Sequence, residues 1–156
     1  MEIIKYPNPI LRVESKSVSL PLSKEDKELL DEMFKYVKDH SDEAVGLSAV
    51  QVGSLKRMCA IRAKIGTKTG TKTVAYKLVN PKIMSHSSKM MFNSEGCLSV
   101  DEQHEENIGR YQSVKVWAYD AITNSNVVID ANGYLAIILQ HEIDHMNGKL
   151  YIDHIK

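Results

Sequence analysis

The sequence predicts an α+β domain. An amphipathic helix comes early, short alternating apolar and polar runs fill the middle, and a strongly apolar helix comes late. No repeat and no linker-like stretch divides the 156 residues, so a single domain over 1–156 is expected.

The composition narrows the class. Hydrophobic residues make up 43% and charged residues 26%, an ordinary globular balance. Formal net charge is +0, so no basic field points to nucleic acid or to an anionic membrane. No apolar run is long enough to span a bilayer, and Met1 to Lys5 lacks the apolar core of a signal peptide. Cys59 and Cys97 lie in unlike contexts, which argues against a disulfide framework. The expected compartment is a reducing cytoplasm.

Each element has its own reason. Met1 to Leu20 carries Tyr6-Pro7-Asn8-Pro9, and its prolines predict an extended arm on the surface. Ser23 is the expected N-cap of the first helix, with Asp26 as a short capping-box acid. That helix should run to about Ser41 and bury Leu29, Leu30, Met33, Tyr36 and Val37. In Ala44 to Gly53, small residues and Gly46 let the backbone pass close to a neighbour. Lys56 to Arg62 reads as a strand containing an inert, packed Cys59. Lys64 to Thr73 reads as a flexible hairpin tip, and Val74 to Val79 as a strand closed by Asn80-Pro81 and continued by Lys82 to His86. Asp101 to Gly109 is polar and reads as irregular. Val114 to Asp120 alternates as a strand, with Asn126 to Asp130 as its partner.

The late helix carries the chemistry. Tyr134 to Gly148 contains His141-Glu142-Ile143-Asp144-His145, a known metal-binding helix pattern. Residues four apart share a helical face, so both imidazoles can meet one cation. Glu142 points about a hundred degrees away, suited to exchanging a proton with a water beside the ion. Leu135, Leu139, Ile143 and Met146 form an apolar stripe. Asp130 and Asn132-Gly133 are expected to start the helix, and Asn147-Gly148 to stop it.

A catalytic ion commonly takes three protein ligands. One protease pattern would place the third at position 151, but Tyr151 stands there, and His154 reads as a surface residue. His40, His86 and His104 lie in polar stretches without a partner at ligand spacing and read as solvated. Cys97 is the upstream candidate, in Glu95-Gly96-Cys97-Leu98-Ser99, with Glu95 able to orient a ligand histidine. A packed, inert Cys97 is the alternative.

With these stretches in hand, the chain resembles the peptide deformylases. That family carries a G-x-G-L-A-A-x-Q loop, an E-G-C-L-S segment and a Q-H-E-x-D-H helix, in that order. Here they stand as AVGLSAVQ from Ala44 to Gln51, EGCLS from Glu95 to Ser99, and QHEIDH from Gln140 to His145. The Tyr6 to Arg12 arm is also similar. Ala44 and Ser48 depart from the family's Gly and Ala. Ser99-Val100-Asp101 resembles a branch common in Gram-positive bacteria.

The resemblance implies antiparallel sheets around the motif helix and removal of the N-formyl group from N-formylmethionyl nascent peptides. It implies Cys97, His141 and His145 as metal ligands and Glu142 as acid and base. The Gln51 amide and the Leu98 N–H would hold the developing oxyanion, and the Gly46 backbone would pair with substrate. The ion would be Fe(II), with Zn, Ni or Co able to replace it, and the substrates would be met at the ribosome. Helical spacing adds an apolar slot for methionine from Val45, Ile137 and Ile138, with plain core packing as the alternative. Arg110 is expected to pair with Asp144, a carboxylate on a buried helix. A metalloendopeptidase on the same helix, or a non-enzymatic binding module, would carry the same helix pattern.

Overall fold

The computed structural model describes residues 1–154, and the side chains of all of these except 102–106. His104 therefore lies outside the described side chains.

Helix α1 spans Lys24–Asp39, and the Ser23 hydroxyl caps it by accepting the Asp26 N–H at 3.1 Å. Leu30, Met33 and Val37 are buried, with Leu29 and Tyr36 packed beside them. Asp26 does not act as a capping acid. It is buried and pairs with Lys56, because a carboxylate taken from water needs a cation more than a cap. The helix stops before Ser41. His40 takes the C-cap and is half-buried, stacking on Tyr36 and placing Nδ1 2.8 Å from the Tyr36 carbonyl oxygen.

The strands are β1 (Gly46–Ser48), β2 (Met58–Thr67), β3 (Gly70–His86), β4 (Met90–Cys97), β5 (Val100–Tyr111), β6 (Ser113–Asp120) and β7 (Ser125–Asn132). One antiparallel sheet has the order β1-β2-β3-β6-β7, and β4 pairs with β5 in a second. The stretch read as a hairpin tip is mostly ladder: Lys64 pairs with Thr73 and Thr67 with Gly70, leaving Lys68-Thr69 as the turn. Asn80-Pro81 does not end β3. Asn80 takes a positive φ of 53° and the register shifts between Val79 and Lys82, so the strand absorbs the proline as a bulge. Asp101 to Gly109 is not irregular. Its backbone pairs with β4, with Asn93 opposite Ile108 and Cys97 opposite Val100, and that ladder needs no apolar alternation. His86 is exposed, as expected, and stacks on Tyr111.

Helix α2 spans Tyr134–Met146. Asp130 and Asn132 belong to β7 and cap nothing; Gly133, at φ 69°, turns the chain straight from strand into helix without a side-chain cap. Leu135, Ala136, Ile138, Leu139, Ile143 and Met146 pack against Cys59, Ile61, Leu78, Val116 and Ala118. On the other face of β2, Met58 and Ala60 meet Leu30, Met33 and Val37 of α1. The period of two along β2 thus feeds a core on each side, with α2 sandwiched between the main sheet and the β4–β5 hairpin. Cys59 is fully buried and burial pushes its thiol up, in keeping with an inert packing role.

The N-terminal arm is more than a surface strap. Leu11 is fully buried in a short 3-10 turn, Pro9–Arg12. The Ile4 N–H donates to Gln51 O at 2.8 Å, Tyr6 N–H to Ser99 O at 2.7 Å and Ser15 N–H to Met146 O at 2.7 Å. One segment therefore stitches together the three stretches that carry the sequence motifs. At the end of α2, Gly148 has φ 72°, and a Cβ there would lie 2.5 Å from the Arg12 carbonyl oxygen, so the arm passes where only glycine fits.

Candidate active site

The motif helix supplies His141 and His145 from one face, and the end of β4 supplies Cys97. Cys97 Sγ lies 3.4 Å from His145 Nε2, and the two Nε2 atoms lie 3.3 Å apart. All three donor atoms fall within 4.8 Å of one another. A tetrahedral ion with bonds of about 2.0 Å to nitrogen and 2.3 Å to sulfur would set its donors about 3.3 and 3.5 Å apart. The residues present fit such an ion. A thiolate with two imidazoles suits a divalent first-row metal.

The rings are held from behind. Glu95 Oε1 accepts from His141 Nδ1 at 2.9 Å, which leaves Nε2 facing Cys97 and His145. Arg110 grips both Glu95 oxygens at 2.9 Å and also reaches Asp144 at 2.5 Å. The pairing with Asp144 was expected; the two-point grip on Glu95 was not. His154 is not a free surface residue, since its Nε2 lies 2.8 Å from Asp144 Oδ2. Tyr151 stands where the protease pattern has its third histidine. It is buried and stacks on His141 at 6.1 Å.

The electrostatics follow from this packing. Burial would raise the Glu95 carboxyl, but hydrogen bonds with His141 and Arg110 outweigh it and hold it at about 2. Burial would lower His141, yet its contacts with Cys97 and Glu95 push it well above the usual range. Burial and repulsion from His141 push His145 well below it. The donor atoms of Cys97, His141 and His145 crowd one point, where they could hold a cation. His145 Nδ1 is buried with no partner among the described residues, so this ring's polar contacts are at Nε2.

Glu142 is 3% exposed. Burial pushes its carboxyl up, only partly offset by His141 and a hydrogen bond from Ser48. That moves it toward the range where one group both takes and gives a proton. A Cβ on Gly46 would sit 2.5 Å from Glu142 Oε2, so the close neighbour that Gly46 admits is this carboxylate.

Gln51 closes the ring of functional groups. Its Oε1 accepts the Ser48 N–H at 2.9 Å, which turns Nε2 toward Ser99 Oγ at 3.0 Å and Cys97 Sγ at 3.6 Å. Leu98 follows Cys97 in the two-residue turn between β4 and β5, and its carbonyl accepts from Lys5 Nζ at 2.7 Å. A cavity of about 570 Å³ joins Val45, Gly46, Gln51, Cys97, Leu98, Ile137, Ile138, His141 and Glu142. His145 lies behind this wall. Sequence reasoning missed the Ser48 bond to Glu142 and the hold of Ser99 on Gln51. The serine at 48 was visible as a departure from the family pattern, but nothing local names its partner 94 residues away.

Comparison with known proteins agrees with this geometry. The family model for polypeptide deformylase matches residues 1–156. The peptide deformylase of Macrococcus caseolyticus is 39% identical over 166 residues, covering 99% of this chain and 89% of its own. The Met-Ala-Ser-bound class I type b peptide deformylase of Acinetobacter baumannii superposes with a TM-score of 0.86 at 31% identity, covering 99% and 98% of the two chains. A probable peptide deformylase from Synechococcus phage S-SSM7 gives 0.83 at 32% identity, with 99% of each covered. With the family's ordered motifs converging on one cavity, and relatives matching nearly end to end, the chain belongs to the polypeptide deformylase family.

Proposed function

We propose that Glu142 is the acid and base of the deformylation that characterises this family, with Cys97, His141 and His145 holding the metal. The reaction removes the N-formyl group from the N-terminal methionine of newly synthesised proteins and releases formate. The observation that carries the assignment is the meeting of Cys97 with the two helix histidines, beside a buried Glu142 and a correctly turned Gln51.

When bound, the ion supplies Lewis-acid activation of water and of the formyl oxygen. Glu142 takes a proton from the attacking water, whose oxygen bonds to the formyl carbon. Charge growing on the formyl oxygen meets Gln51 Nε2–H and the Leu98 N–H. As the carbon–nitrogen bond breaks, Glu142 returns the proton to the leaving amine, so water and amide become formate and a free N-terminus. Fe(II) is the proposed resident ion, with Zn, Ni or Co able to replace it.

Substrate position follows from topology. Strand β1 is an edge of the main sheet, so a nascent peptide can add alongside it through the Gly46 backbone. Val45, Ile137 and Ile138 then offer an apolar slot for the methionine side chain, as they line the same cavity. Such a slot discriminates modestly, so other first residues are tolerated. We place the work in the bacterial cytoplasm, in transient contact with the ribosome where formylated chains emerge. Among the described residues, no helix is long and apolar enough to cross a membrane.

The decisive test is formate release from formyl-Met-Ala-Ser by protein purified without air. Release from that peptide, without cleavage of casein, is expected; internal cleavage without formate would favour an endopeptidase. Gly46→Ala sharpens the geometry. Its new Cβ, 2.5 Å from Oε2 and 2.9 Å from Cδ of Glu142, displaces the carboxylate. A fall in kcat of roughly a hundredfold is expected, as for a misplaced catalytic group, with the thermal midpoint little changed. A rate within threefold of the parent would contradict it.

A further inference from the structure

We propose that Ser48 is a positioning residue for deformylation, its hydroxyl holding one carboxylate oxygen of Glu142 so that the other carries the proton. The inference rests on the acid and base role of Glu142 given above.

Ser48 is fully buried at the end of β1. Its Oγ lies 2.9 Å from Glu142 Oε1 and 3.0 Å from the Glu142 backbone carbonyl oxygen. A hydroxyl has one proton to donate, and an ionised carboxylate is the stronger of these two acceptors. Oε1 is thereby engaged inside the protein. Oε2 lies on the Gly46 side, and Gly46 and Glu142 both line the cavity. The water's proton is therefore taken at Oε2 and returned from Oε2 to the leaving nitrogen. The backbone carbonyl gives the hydroxyl a second acceptor, so it can turn away from Oε1 without being left unpaired in the core.

The same residue orients the oxyanion donor, because the Ser48 N–H holds Gln51 Oε1 at 2.9 Å. These two jobs can be separated. Ser48→Ala deletes the hydroxyl, and with it the bond to Glu142 and the cap on the Gln51 backbone N–H, but keeps the Ser48 N–H that holds Gln51 Oε1. The change removes one atom and adds none, and alanine is the residue of the family pattern at this position.

The test measures kcat, KM, thermal midpoint and metal content of metal-loaded Ser48→Ala on formyl-Met-Ala-Ser, in the parent and in a Glu142→Asp background. In the parent, kcat per bound metal should fall about tenfold with KM within twofold, because the lost contact orients a proton carrier and not the substrate. In Glu142→Asp the shorter carboxylate no longer meets the hydroxyl, so Ser48→Ala should change the residual rate by less than twofold. A parent kcat within twofold overturns the inference, as does a loss that vanishes when normalised to bound metal. An equal loss in both backgrounds overturns it too, since the hydroxyl would then act elsewhere. Failure of the underlying reading has a different signature, namely substantial deformylation by Glu142→Gln.

Discussion

Replacing Glu142 by glutamine should leave the metal in place and lower deformylation about a thousandfold, within the range that a positioned acid and base contributes. Glutamine keeps the length and shape of the side chain. Its carbonyl oxygen can still accept from Ser48 Oγ, which lies 2.9 Å from Oε1 in the parent. It cannot take a proton at neutral pH. The three donor atoms of Cys97, His141 and His145 do not involve this side chain, so bound metal should stay at the parent level. The measurement is kcat on formyl-Met-Ala-Ser beside metal analysis of the same sample. A kcat within tenfold of the parent, with metal bound, would remove Glu142 from the proton path.

Cys97→Ser should fail in the opposite order, losing the ion first and the rate as a consequence. A serine hydroxyl stays protonated where a metal-bound thiol does not, so the donor set loses its negative charge. The shorter C–O bond also draws the donor back from two imidazole nitrogens that the sulfur now faces at 3.4 Å from His145. Metal affinity should fall by more than the roughly ten- to hundredfold that loss of an outer partner costs. Dialysis against a buffered chelator followed by metal analysis reads this. With cobalt loaded, the sulfur-to-metal charge-transfer absorption should vanish. Unchanged metal content and an unchanged cobalt spectrum would exclude Cys97 as a ligand. Glu142→Gln and Cys97→Ser together separate proton transfer from metal binding.

The outer partners explain why the site holds its shape before any ion is considered. Arg110 is 3% exposed and sits between Glu95 and Asp144, so a buried and a half-buried carboxylate share one cation. Breaking such a group leaves an uncompensated buried charge, which is far costlier than replacing the whole set with apolar residues. Asp144 in turn meets His154, which ties the turn after α2 to the back of the candidate site. Read alone, His154 looked like a residue in solvent; the chain reversal at Asn147-Gly148 brings it back to the helix it has just left.

Much of the architecture was legible because it depends on local periodicity. The apolar stripe of α2, the Ser23 cap, the alternation of β6 and the turn after α2 each follow from residues within a few positions of one another. The misreadings share one cause. Asp101 to Gly109 forms a strand because β4 lies beside it, β3 continues through Asn80-Pro81 because its neighbours hold it, and Asp26 turns inward because Lys56 is there. In each case a distant partner overrode local preference.

The site divides in the same way. His141, Glu142 and His145 came from one helix, where a spacing of four places two imidazoles on a face by geometry alone. Cys97 stood as the upstream candidate on its own surroundings, and the ordered motifs then added Gln51 and Leu98. What only the folded chain decided is which carboxylate oxygen Ser48 holds, that Arg110 grips Glu95 from behind His141, and that the first arm binds Gln51, Ser99 and Met146 into one frame. Periodicity is written along the chain, whereas a hydrogen bond between Ser48 and Glu142 depends on angles summed over everything between them.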